Sequence, residues 1–120
     1  MTNFDIDTLR ELHDMREIAI RTEQHRKNAV VIWVVVADNE VFVRSVRGTK
    51  GRWYKGLAAS GPATLEFAGR RLPVQASPVS DPAAIARASQ EYLRKYQPSP
   101  YAQSMVRPEV LPTRLRLEPR

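Results

Sequence analysis

The segment Val30–Val36 constrains this chain more than any other. It reads Val-Val-Ile-Trp-Val-Val-Val, β-branched or aromatic at every position. Such side chains lose rotamer freedom in a helix and pack well on a pleated surface. The run predicts a central strand buried on both faces. Asp38-Asn39 follows, a pair that tolerates positive φ, and Val41–Val46 then returns as the second arm of a hairpin. Strand alternation puts Val41, Val43 and Ser45 on one face, and Phe42, Arg44 and Val46 on the other.

The remaining elements are shorter. Asp5–His13 predicts an amphipathic helix, with Ile6, Leu9 and Leu12 at helical spacing and Thr8 and Glu11 as a capping box. Arg16–Thr22 alternates as a half-buried strand. Arg52–Ser60 predicts a short helix anchored by Trp53 and Leu57 and ended by Gly61-Pro62. Thr64–Ala68 and Arg71–Val79 predict strands about Gly69, with Pro73 placing the second at an edge or on a bulge. Asp81-Pro82 supplies an N-cap and a first-turn proline for a helix running to about Tyr96. Its inner face carries Ile85, Ala88, Ser89, Tyr92 and Tyr96. Four prolines between Gln97 and Pro112 predict a broken loop, and Thr113–Leu117 a closing strand. Hairpins dominate and no βαβ rhythm appears. The expected fold is mainly β (α+β): a small antiparallel split barrel of about six strands with two or three helices, residues 1–120 forming one domain.

Several function classes fall away. With no cysteine there is no disulfide framework, thiolate zinc site or cysteine nucleophile, and a cytoplasmic location is expected. The first twenty residues carry five acidic side chains and no apolar core, so they do not read as a secretory leader. Ala29–Ala37 is too short to span a membrane. His13 and His25, the only histidines, lack paired-ligand spacing, so no metal is expected. Ser45, Ser60 and Ser104 have no nucleophile-elbow context. No catalytic residue can be assigned.

Charge is more informative. The chain holds 19 basic and 13 acidic residues, a net +6. Within Val41–Leu57 lie Arg44, Arg47, Lys50, Arg52 and Lys55, with no acidic residue among them. Gly48-Thr49-Lys50-Gly51 allows close backbone approach and offers amide donors. A helix beginning near Arg52 would add its positive end. The combination suits a phosphate, although the spacing is not that of a P-loop. A solvated hairpin-to-helix turn is the other use of the same residues. Arg21, Arg26 and Lys27 form a second basic cluster. Trp53-Tyr54 either stacks on a planar ring or anchors its helix, and Trp33 is expected in the core. Nucleic acid is the less expected partner, since no helix-turn-helix, zinc finger or RNP-type motif is present.

Val31–Val36, then Val41–Ser45, Gly48 and Arg52-Trp53-Tyr54 resemble the bacterial domain-of-unknown-function 2255 family. Tyr92–Tyr96, Ser99-Pro100-Tyr101 and the closing Thr113–Pro119 are similar to that family's tail. The family in turn resembles the flavin-binding split barrels, the deazaflavin-dependent nitroreductases especially. The shared order is hairpin, glycine–basic loop, the helix Arg52–Ala59, then a strand ending at Gly69. The resemblance implies a homodimer binding FMN or a deazaflavin, with oxidoreductase chemistry carried by the cofactor. It places the phosphate at the loop of Arg47, Gly48, Lys50 and Arg52, with Arg44 and Ser45 lining the same groove. One departure stands out: Gln24–Asn28 replaces the glycine- and serine-rich turn of the nitroreductases. A cofactor-free module contacting nucleic acid or another anion, or a structural dimer, stays open beside the flavin reading.

Overall fold

The β-branched run is not one strand. In the computed structural model, which describes residues 3–22, 29–97 and 99–120 (without the side chains of 52 and 58–60), it divides into β2 (Val30–Ile32) and β3 (Val35–Ala37). These two halves lie at opposite edges of one seven-stranded antiparallel sheet, ordered β2-β1-β5-β6-β7-β4-β3. The other strands are β1 (Ile18–Thr22), β4 (Glu40–Val43), β5 (Pro62–Phe67), β6 (Arg70–Pro78) and β7 (Leu115–Pro119). Seven flat strands would span roughly 29 Å across six interstrand gaps. Ile32 and Val35 are three residues apart and can be separated by about 11 Å at most. The sheet must therefore curl until its edges nearly meet, and the fold is a mainly β split barrel.

The break has a local counterpart. Val34, at the crossing, has no ladder partner among the described residues. Its N–H donates to the Tyr96 hydroxyl at 3.0 Å, and its carbonyl accepts from Lys95 Nζ at 2.7 Å. Both partners end α3 (Pro82–Lys95 with its cap Tyr96), so a helix satisfies the backbone where the sheet cannot.

Turns and caps are set locally. Asp38 and Asn39 have φ of 51° and 62° and form the two-residue loop of the β3–β4 hairpin. Ala68 and Gly69 do the same between β5 and β6. Asp81 caps α3 by accepting from Ala83 N–H at 3.1 Å. In α1 (Ile6–Asp14) the cap is Asp5, which accepts from Thr8 N–H at 2.7 Å; the expected capping box began three residues too late. β6 is an interior strand, not an edge. Pro73 is tolerated because it lies just beyond the last pair of the β6–β7 ladder, Val74 with Pro119.

The apolar residues form two layers. Ile20, Val34, Val41, Val43, Leu65 and Leu117 fill the barrel, and Trp53 and Leu57 of α2 (Arg52–Ser60) join them. On the outside, Val35 and Phe42 pack under Ala88, Tyr92 and Tyr96 of α3 and Met105 of the 3-10 turn Pro100–Val106. Strand β4 serves both layers by alternation, Val41 and Val43 inward and Phe42 outward.

Candidate functional site

The alternation that turns Phe42 outward continues to Arg44. Its guanidinium lies beneath α3, 2% exposed. One terminal nitrogen donates to Ser89 Oγ at 3.0 Å and to the Met105 carbonyl at 2.9 Å, and the other donates to the Ile85 carbonyl at 3.1 Å. The charge sits 5.1 Å from the Tyr92 ring centre. Burial lowers its pKa from the ordinary arginine value, an effect the Tyr92 side chain opposes.

Ser45 turns the other way. Its N–H donates to Thr113 Oγ1 at 2.9 Å and its carbonyl accepts from Gly48 N–H at 2.9 Å. Its hydroxyl is buried and has no hydrogen-bond partner among the described residues. A Cβ on Gly51 would collide with that hydroxyl, so glycine there makes the close approach feasible. Gly48 is required for a different reason. Its φ is +66°, and a Cβ would stand 2.8 Å from the Glu109 carbonyl.

Beyond Ser45 the chain makes a 3-10 turn at Gly48–Lys50 and enters α2 with Gly51 as N-cap. The first bond into the helix is from Lys55 N–H to the Gly51 carbonyl, leaving the amides of 52–54 without a partner inside the helix. Arg47, Lys50 and Lys55 are exposed around this helix start and make no ion pair with a described residue. Several arginines elsewhere are paired with carboxylates. Arg21 meets Glu66 at 2.9 Å, Arg87 meets Asp38 at 2.9 Å, Arg94 meets Glu91 at 2.6 Å and Arg116 meets Glu40 at 3.1 Å. The Arg52 side chain, Arg26 and Lys27 lie outside the described residues.

A cavity of about 600 Å³ opens beside this loop. Val30, Val31, Trp33, Trp53, Tyr101 and Met105 give it apolar and aromatic walls, while Glu17, Arg44, Ser45 and Arg47 supply polar groups. The structure thus brings Arg44, Ser45, Arg47 and Gly51 to one cavity. Gly48 and Lys50 stand in the adjoining turn without lining it. Trp33, expected in the core, is half-buried and stacks on Tyr96 with ring centres 3.9 Å apart and planes 3° apart. Glu17, Trp33, Tyr101 and Met105 were not singled out by sequence as site residues. Nothing in their local pattern marks them, because the barrel's closure brings them together.

A family model for an uncharacterized protein conserved in bacteria (DUF2255) matches residues 5–117. The chain belongs to the DUF2255 family. No curated protein matches its sequence. The DUF2255 fold is similar to that of the heme storage protein HutZ from Vibrio cholerae, with a TM-score of 0.62 at 14% identity, covering 96% of this chain and 89% of that one. It is also similar to a FAD-binding protein from Mesorhizobium loti, TM-score 0.57 at 10% identity, covering 100% and 92%. A third solved structure, described as a domain-swapped dimer, has a TM-score of 0.62 at 14% identity and covers 93% of each chain. At these identities the likeness is one of fold. Among the described residues no helix is long and apolar enough to cross a membrane.

Proposed function

We propose that this DUF2255 chain is a one-domain, cytoplasmic split-barrel protein that binds FMN or a deazaflavin. The observation that carries the reading is the placement of the unpaired cations. Arg47 and Lys50 stand at the start of α2, beside an apolar cavity, while arginines such as Arg21, Arg87 and Arg94 are held by carboxylates. Charge-assisted bonds and free helix amides together favour a phosphate there. Arg52 keeps its place in this set from the sequence pattern. Gly48 and Gly51 hold the loop close, and Arg44 and Ser45 line the cavity wall. An unpartnered buried hydroxyl costs about 1–3 kcal/mol, which a polar atom of the ligand would recover at Ser45. The cavity falls in the usual size range for small-molecule sites.

The isoalloxazine or deazaflavin ring would supply the hydride or electron chemistry of an oxidoreductase. The chain's own part is to bind the phosphate, enclose the ring and limit water. Two neighbours of the same fold, one named for heme storage and one for FAD binding, support a cofactor cavity of this kind. A homodimer is part of the proposal. Val31, Val46 and Tyr101, exposed by 62%, 48% and 68%, line the same cavity, and a second copy would cover them.

Equilibrium titration of the purified protein with FMN and with a deazaflavin tests the reading. Micromolar binding is expected, weakened at least tenfold when Arg47, Lys50 and Arg52 are replaced by alanine. Failure to bind either compound would falsify it.

A further inference from the structure

We infer that Trp33 is the stacking platform for the ligand's ring and that Tyr96 is the residue that positions it. This rests on the flavin-type reading of the cavity and deepens it by naming the ligand class at the ring end: a planar, electron-poor heteroaromatic.

Trp33 and Val34 are the two residues that cross between the sheet's edges. One face of the Trp33 indole is covered by the Tyr96 ring, 3.9 Å away and nearly parallel. Trp33 is nonetheless only partly buried and lines the cavity, so its second face is the one left for a ligand. Tyr96 itself is buried and does not line the cavity. Its hydroxyl donates to the Arg16 carbonyl at 2.7 Å and accepts from Val34 N–H at 3.0 Å. Behind it Tyr92 continues the stack, ring centres 6.1 Å apart. The indole is therefore backed by a fixed aromatic column rather than by mobile aliphatic groups. A platform held in place loses little freedom when a ring settles on it. An indole is electron-rich and aromatic stacking is governed by complementary charge distributions, so an electron-poor ring gains most. Arg44 ends the column at Tyr92 and also lines the cavity, which ties the column's two ends to one site.

Two probes separate the ring from the phosphate: FMN, and lumiflavin, which has the ring alone. With the wild-type chain both are expected to bind with quenched flavin fluorescence and a broad long-wavelength charge-transfer absorbance. Trp33→Leu should remove that absorbance and weaken both probes by the same factor, about tenfold or more. Trp33→Phe should recover part of the affinity. Tyr96→Phe keeps the ring and removes the hydroxyl; it should keep the absorbance and weaken both probes a few-fold. Its near-UV circular dichroism shows whether the stack persists should Trp33→Leu not fold. Unchanged affinity and absorbance in Trp33→Leu overturn the inference and leave the phosphate reading intact, as would loss of the absorbance in Trp53→Leu alone. Equal affinity for FMN and lumiflavin, with the absorbance lost in Trp33→Leu, supports the ring platform and removes the phosphate loop. If neither probe binds, both fall.

Discussion

Arg44 and Arg47 lie three residues apart, line the same cavity and have opposite circumstances. Arg44 is at the end of a buried strand, so alternation drives it under α3, where two carbonyls and a hydroxyl receive it. Arg47 lies four residues beyond the last strand residue, Val43, in a turn where it makes no ion pair with a described residue, and keeps its charge for solvent or a ligand. A cation held by carbonyls supports the fold. A cation without a partner beside a helix start is available to an anion. Identical side chains in one short stretch thus differ by what the backbone offers them, not by their chemistry.

The largest test of that contrast is Arg44→Ala. It removes packing and leaves the Ile85 and Met105 carbonyls without their donor, and should cost about 3 kcal/mol in urea unfolding. Gly51→Ala strikes the contact between the two halves. The added Cβ meets Ser45 Oγ, and a loss of about 2 kcal/mol is expected. The double variant Ser45→Ala, Gly51→Ala should recover most of it, and additivity of the two changes would show that the contact is not the cause.

Lys95 extends the carbonyl-held class. It donates to the Leu12 carbonyl at 3.0 Å and the Val34 carbonyl at 2.7 Å, and burial pulls its pKa down to about 8 from 10.5. Below pH 8 both folded and unfolded chains carry this proton, and the folded state bears the cost of the buried charge. As pH rises from 8 toward 10.5 the folded lysine loses its proton first, so this contribution to stability rises. The neutral amine still has two N–H groups for its two carbonyls. Tyr96 acts oppositely: burial pushes it up to about 12 from 10.0, so above pH 10 the unfolded chain ionises first and stability falls. Thermal unfolding against pH should show a rise between 8 and 10 and a decline beyond. Lys95→Met should abolish the rise.

The smallest effect on stability belongs to Arg47→Ala, expected within about 0.5 kcal/mol of wild type. A loss comparable to Arg44→Ala would collapse the contrast, since Arg47 would then have a structural partner too.

What the sequence made legible follows the same division. The Asp38-Asn39 turn, the Asp81-Pro82 cap and the glycine end of α2 depend on neighbours a few residues away, and all were expected. The break at Trp33-Val34 was not. It depends on where a curled sheet closes and on Tyr96, 62 positions along the chain. The same non-local closure hid Trp33, Tyr101 and Glu17 from any reading of local pattern. The basic loop was visible as charge, and Arg47 and Gly51 do reach the cavity. Its glycines were visible only as freedom. That Gly48 is fixed by the Glu109 carbonyl and Gly51 by the Ser45 hydroxyl could not be read from spacing.

The crossing at Val34 has one more consequence. Most strand amides are shielded from deuterium exchange by the cooperative ladder, and they open together. Val34 N–H is shielded by a single phenol on the last turn of a helix. Its exchange rate therefore times the release of that turn, independently of barrel unfolding, and a single amide resonance serves as a clock for whether the wall behind the cavity is open or shut.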